Sequence, residues 1–235
     1  MAQVRVMARG FVRPGREAEA RAVFRSMLAP TRAEEGCLFY EYLESVPSSR
    51  RFFGEEPERP EDRRLEVYVN ELWAGQEAQD AHVKTPYFAE HKAGLARVID
   101  GDYHVTNLVE VEPADVTTRH AGVTMTGEDG AEGPKAFSIR IEARPGRQDD
   151  VLRMLRDIRA CVEDEPATGP WYAVRHSETE FAIFEAFPTI AGRNAHIAGG
   201  GGDVFRDIER MNTILATAAH VRKVDVLLSK ETIAK

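Results

Sequence analysis

The chain is poor in the features that most readily announce a function. Only two cysteines, Cys37 and Cys161, occur in 235 residues, and they lack Cys-x-x-Cys spacing. That excludes a disulfide framework and a zinc ribbon, fits a reducing compartment, and leaves both thiols as small buried side chains. Nowhere do eighteen apolar residues run together, and Met1 to Val6 lead straight into a strand-like alternation without an apolar signal region. The expectation is a cytoplasmic protein. There is no polybasic tract, and a formal charge of −8 argues against nucleic acid or an anionic membrane as partner, since both reward a basic face. The four glycines Gly199 to Gly202 are not followed by Gly-Lys-Ser/Thr and sit in no Gly-x-Gly-x-x-Gly fingerprint. They form neither a phosphate loop nor a dinucleotide turn, and read instead as a mobile helix break or entrance.

What is present is a pattern stated twice. Glu71-x-Trp73 with His82 nine residues on recurs as Glu185-x-Phe187 with His196 nine residues on. Arg13-Pro14-Gly15-Arg16 recurs as Arg144-Pro145-Gly146-Arg147, each copy separating an alternating run from a helical one. A duplicated unit means two copies of one small fold.

In the first copy, residues 3–12 alternate through Val4, Val6 and Ala8 as a strand. Ala20, Val23, Phe24, Met27 and Leu28 form the stripe of a helix over 17–34, with Pro30 bending its last turn and Gly36 stopping it. Residues 38–44 and 65–73 make two more strands. In the latter, Leu65, Val67, Val69, Glu71 and Trp73 share one face and Tyr68 and Leu72 the other. A helix over 75–98, interrupted near Thr85-Pro86, and a strand over 103–111 complete the copy. The second repeats the order with strands at 136–143, 171–176, 180–187 and 220–228 and helical stretches at 148–163 and 190–217.

Strand, helix, strand, strand, helix, strand is the split βαβ, or ferredoxin-like, order, with two helices covering one face of an antiparallel sheet. The uncovered faces of two such sheets can stack, which predicts an α+β chain of two tandem domains, 1–113 and 135–235, joined by a linker at 114–134. The result would be a pseudo-dimeric barrel inside one chain, with an enclosed apolar chamber and an imidazole on its wall. Whether two such chains pair again is left open.

Gly36-Cys37-Leu38-Phe39-Tyr40, then Glu71-x-Trp73 leading to His82 and on to Tyr87-Phe88, resembles the antibiotic biosynthesis monooxygenase domains of the dimeric α+β barrel superfamily. In its tandem form the chain looks most like oxygenases that modify or open a ring of angucyclinone-type aromatic polyketides. The resemblance implies dioxygen as co-substrate, a small polycyclic aromatic substrate, no bound metal or haem, and reduced flavin (FADH2 or FMNH2) as a diffusible reductant supplied by a flavin reductase. The chain shows no flavin-binding motif of its own.

Such chemistry needs a base, a dry aromatic pocket and a positive group near the oxygen anion. Imidazole suits the base because its pKa of about 6.5 lets it take a phenolic proton near neutrality. His82 and His91 are the catalytic candidates. Trp73, Tyr87 and Phe88 lie around them, Tyr68 is a further substrate-binding candidate among the strand tyrosines, and Ala74 and Ala78, on the face of His82, leave space for a flat substrate. Each has a plainer alternative: His82 can cap a helix or satisfy a buried carbonyl, Trp73 and Tyr68 can be core, and Glu71 can be half of a structural pair. An insert of nineteen residues, Val46 to Arg64, offers Phe52 and Phe53 as a lid or is simply a solvated loop. Trp171, Tyr172, His176 and His196 make the second half a rival location.

Two other readings stay open. Haem-degrading relatives carry an Asn, a Trp and a ligating His where this chain has Ala8, His82 and Lys92. His91 is one residue off, and a helix turns about 100° per residue, so it points elsewhere. A barrel that binds a hydrophobic small molecule without catalysis is the third class.

Overall fold

The structure, a computed structural model, describes residues 3–46, 63–110, 118–119 and 135–231. The first half is built from β1 (Val4–Val12), α1 (Glu17–Ala33), β2 (Cys37–Ser45), β3 (Glu66–Trp73), α2 (Gln76–His82), α3 (Pro86–Val98) and β4 (Ile99–Glu110). The second consists of β5 (Thr118–Arg119), β6 (Lys135–Glu142), α4 (Gln148–Glu163), β7 (Trp171–Arg175), β8 (Glu180–Phe187), α5 (Ile190–Ala198), α6 (Gly200–Arg206), α7 (Ile208–Ile214) and β9 (His220–Glu231). Both halves are ferredoxin-like, as the alternation predicts.

Local chemistry sets the boundaries. The duplicated Pro-Gly turns place Gly15 and Gly146 at φ of 81° and 79°, a region that side chains disfavour, so each strand stops where its helix begins. Thr85 accepts a hydrogen bond from the Phe88 N–H and Pro86 follows it, dividing the expected 75–98 helix into α2 and α3. In the second half Gly199 and the Asp207 cap on the Arg210 N–H divide 190–217 into three helices. β4 starts four residues earlier than the alternation predicts. Three residues, Gly101 to Tyr103, lie opposite Gly10 of β1, and this bulge, with Gly101 at φ 78°, hides the period. Thr118–Arg119, inside the expected linker, pairs with β7.

The strands run in the order β4-β1-β3-β2-β9-β6-β8-β7-β5, and a further β4–β7 pairing closes the sheet on itself. Seven ladder pairs join β2 to β9 on one seam. On the other, Val109 and Glu110 pair with Arg175 and Val174. The sheet has two kinds of face. Outward positions of the first half (Val6, Ala8, Val67, Val69, Trp73) pack on Phe24, Met27, Leu95 and Val98 of its helices. The second half does the same with Phe137, Ile139, Trp171, Ile183 and Phe187 against Val151, Leu155, Ile158 and Phe205. Inward positions (Met7, Phe39, Leu43, Tyr68, Leu72, Tyr172, Phe184 and Val226) meet in the barrel. The expectation of a chamber between the two sheets is therefore corrected. Large side chains from both sheets fill the barrel's waist, and a cavity of substrate size lies instead on the outer face of the first sheet, under α3.

Candidate functional site

A cavity of about 570 Å³ opens between the first sheet and its helices. Its floor is Val6 and Ala8 of β1, Tyr40 of β2, Val69 and Glu71 of β3 and Tyr103 of β4. Phe88, His91 and Leu95 of α3 roof it, and Arg13, Lys92 and Asp102 also line it. Small residues on β1 explain why the space exists. Gly10 admits the Tyr103 ring so closely that an added Cβ would stand 2.9 Å from its Cδ2. At the corresponding positions of β6 the second half has Phe137, Ile139 and Ile141, and Trp171 replaces Tyr40 opposite the repeated glutamate. The equivalent space there shrinks to about 20 Å³. Gly201 and Gly202 contribute to the closure. An added Cβ would lie 2.7 Å from His196 Cε1 and 2.1 Å from the Ile197 carbonyl oxygen respectively, so the glycines let α6 press onto α5 and form no entrance.

The ionisable groups on the first-half wall are tuned by burial. His91, 6 % exposed, lies edge-on to Phe24, with Nδ1 3.4 Å from the Val23 carbonyl oxygen. A carbonyl only accepts, so Nδ1 carries the proton and Nε2 keeps its lone pair. Burial lowers the His91 pKa to about 4, and the imidazole is neutral near pH 7. Burial also raises the Glu71 carboxyl, against the opposing pull of His82 and of the Trp73 Nε1–H, which donates to Glu71 Oε2 at 2.8 Å. Tyr40, the ladder partner of Glu71, and Tyr103 are held above the ordinary phenol range by burial and by the Glu71 charge. Both stay protonated as hydrogen-bond donors.

Behind Glu71 lies His82, fully buried and packed against Trp73, with ring centroids 4.5 Å apart and the rings tilted by 39°. Its Nδ1 meets Glu34 Oε1 at 2.7 Å, and the Tyr87 hydroxyl donates to the same oxygen. The second half repeats this arrangement with a change. His196 Nδ1 meets Glu165 Oε2 at 2.6 Å and Nε2 meets Glu185 Oε1 at 3.2 Å. Phe187 has no N–H to offer Glu185, and the imidazole takes the place that Trp73 fills for Glu71. Burial opposes charging His196, yet the two carboxylates outweigh it and hold the imidazole up to about 10.

Residues 3–94 match the family model for antibiotic biosynthesis monooxygenase. The matched segment contains β1 to β3 and most of α3, which form much of the wall of the larger cavity, while Leu95 and the β4 residues Asp102 and Tyr103 lie beyond it. Rv0793 of Mycobacterium tuberculosis, named as a candidate monooxygenase, is 27% identical over 111 residues, which is 47% of this chain and 94% of its own. Two solved structures with the same naming share the fold along nearly the whole chain. One from Fusobacterium nucleatum has a TM-score of 0.77 at 14% identity, covering 98% of this chain and 94% of that one. One from Lactobacillus acidophilus has a TM-score of 0.68 at 10% identity, covering 99% and 100%.

Around this cavity the candidate residues separate. His91 and Phe88 line the cavity. His82, Trp73 and Tyr87 stand behind its wall, and Ala78 packs on Gly36, where an added Cβ would lie 2.5 Å away. Ala78 provides close packing and no substrate space, and Ala74 is exposed. Tyr68 faces the barrel and donates to Glu66 Oε2 at 2.5 Å. Trp171 is core, His196 belongs to the closed second-half site, and His176 lies at one mouth of the barrel. Phe52 and Phe53 fall outside the described residues. Sequence reasoning missed Tyr40, Tyr103 and Arg13 as cavity wall. Strand parity carried the signal for Tyr40, which shares the outward face with Tyr42 and pairs with Glu71.

Proposed function

We propose that the chain is a cytoplasmic monooxygenase that uses dioxygen on a flat, electron-rich polycyclic phenol or hydroquinone of the aromatic polyketide type, angucyclinones included, without bound metal or haem. The supporting observation is the first-half cavity itself. Its volume falls in the usual range for small-molecule sites, about 300–1,000 Å³. Its wall is aromatic and aliphatic, and a neutral imidazole and a buried carboxyl face it within the segment that matches the family.

Each group has a role in this reading. His91 Nε2 accepts the substrate hydroxyl and orients the ring. Glu71, a stronger base than an exposed carboxylate because burial raises its pKa, takes the phenolic proton and returns it to the peroxide, while His82, held by Glu34, steadies the carboxylate charge. The phenolate gives one electron to dioxygen, and the resulting superoxide is held near the cations of Lys92 and Arg13. Radical recombination forms a carbon–oxygen bond to a ring hydroperoxide, and loss of water leaves a quinone carbonyl. The substrate supplies all the electrons, one oxygen atom entering the product and the other leaving as water. Where the substrate is too electron-poor, reduced flavin from a separate reductase is the external donor.

Oxygen uptake with a hydroxylated polycyclic substrate tests this. Saturable, stoichiometric consumption with quinone formation supports it. Tight binding without oxygen use, with or without reduced flavin, contradicts it and leaves a binding barrel.

A further inference from the structure

One mouth of the barrel holds a second concavity, of about 350 Å³, which reaches Ile141 and Phe181 at the edge of the second-half core and lies away from the first-half cavity. Inward-facing strand positions supply it, and two cross-strand pairs there repeat between the halves. Arg9 of β1 is the ladder partner of His104, and Arg140 of β6 is the partner of His220. Arg9 and Arg140 stand equally far before the duplicated Arg-Pro-Gly-Arg turns. The duplication has therefore placed an Arg–His pair on each side of the barrel axis.

Their charges are satisfied unequally. Arg9 meets Glu66 Oε1 at 3.3 Å, and Arg222 approaches Oε2 of the same carboxylate at 3.6 Å. Arg140 forms no direct ion pair with a carboxylate among the described residues, feels Glu66 only at longer range, and donates to His220 Nδ1 at 3.2 Å. Glu180, the counterpart of Glu66, lies exposed at the rim beside its ladder partner Glu142. Water and salt screen these two, while the guanidinium of Arg140 is partly withdrawn from both. His176 adds a ring nitrogen, Nε2, that is buried without a partner.

We propose that this mouth binds a small oxyanion, a phosphate or a short polycarboxylate, through the guanidinium groups of Arg140 and Arg9, with the imidazoles of His104, His176 and His220 around it. A desolvated guanidinium recognises a phosphate or carboxylate through paired N–H donors, and a low-dielectric concavity strengthens the attraction. The feature is local, because the chain as a whole carries a charge of −8. Burial lowers the Arg140 pKa, with Arg9 and Arg222 adding to the effect and Glu66 opposing it, and burial lowers that of His176, where Arg9 and Arg140 work against Glu180. An anion seated among these groups reverses both tendencies.

Titration calorimetry with inorganic phosphate and, separately, citrate tests the site on the full chain. The expected result is saturable binding of at least one, weakened at least tenfold by Arg140→Gln, with the preferred anion identifying phosphate or carboxylate as the source. His104→Gln, at an exposed position, is expected to weaken it about threefold even if Arg140→Gln does not fold. The His176 imidazole, followed by NMR, should titrate at higher pH once the anion is bound. No saturable binding of either anion at about 10 mM overturns the proposal, as does unchanged affinity in the folded variants.

Discussion

His91 Nδ1 and the Val23 carbonyl oxygen stand 3.4 Å apart, a contact that ties α3 to α1 and turns the other imidazole nitrogen free as an acceptor. Replacing His91 by Gln keeps a polar group but loses this geometry. Turnover of a phenolic substrate should fall about 10²-fold, with KM rising as well, because the residue both binds and orients. Steady-state oxygen uptake measures it, and a fall in kcat with KM unchanged would argue that His91 acts only in the transition state.

Glu71→Gln keeps the acceptor for the Trp73 N–H and removes the base. Oxygen uptake should drop about 10²–10⁴-fold while the affinity for substrate, read by ligand fluorescence, changes little. His82 acts through Glu71 in this account. His82→Gln should give a smaller loss and shift the acid limb of the pH–rate profile, a change that simple loosening of α2 would not produce.

The two buried imidazoles predict opposite dependences of stability on pH. The folded pKa of His91, about 4, lies below the ordinary 6.5, so the unfolded chain takes the proton first as pH falls. Its contribution is complete above pH 6.5 and is lost between there and about 4, amounting to about 3 kcal/mol. His196, raised to about 10, contributes fully below 6.5 and loses that contribution as pH climbs toward 10. Urea midpoints across pH should show His91→Phe flattening the acid side and His196→Gln flattening the alkaline side.

Gly36 touches Ala78 so closely that Gly36→Ala must push α2 away from the β2 entrance. The expected loss is about 1–3 kcal/mol in chemical denaturation, with restoration by Ala78→Gly.

Much of the fold was legible because it depends on period and punctuation. The alternation of Val4, Val6 and Ala8, the stripe from Ala20 to Leu28 and the two Pro-Gly turns each act within a few residues, and all three reappear in the structure. The start of β4 was hidden because a bulge at Gly101 to Tyr103 breaks the period of two. The site was harder to see. Whether a half keeps a cavity depends on side-chain volumes that meet across strands and helices, as with Gly10 beneath Tyr103 or Phe205 beside Phe137, and no local pattern encodes those meetings. His82 and His196 drew notice as a repeated motif. Repetition reflects the shared Glu–His contact of the domain, whereas the open cavity arises where the copies differ.

That difference allows the most direct test. Ala8→Ile places in the first half the residue that the second half carries as Ile139, and it fills open space in the cavity floor. Binding of a tetracyclic phenol to this variant and to the parent chain, with circular dichroism to confirm the fold, is the measurement. The account predicts at least a tenfold loss of affinity and no oxygen uptake from a fully folded Ala8→Ile protein. Parent-like binding and turnover by that variant would contradict it and move the active site out of the first-half cavity.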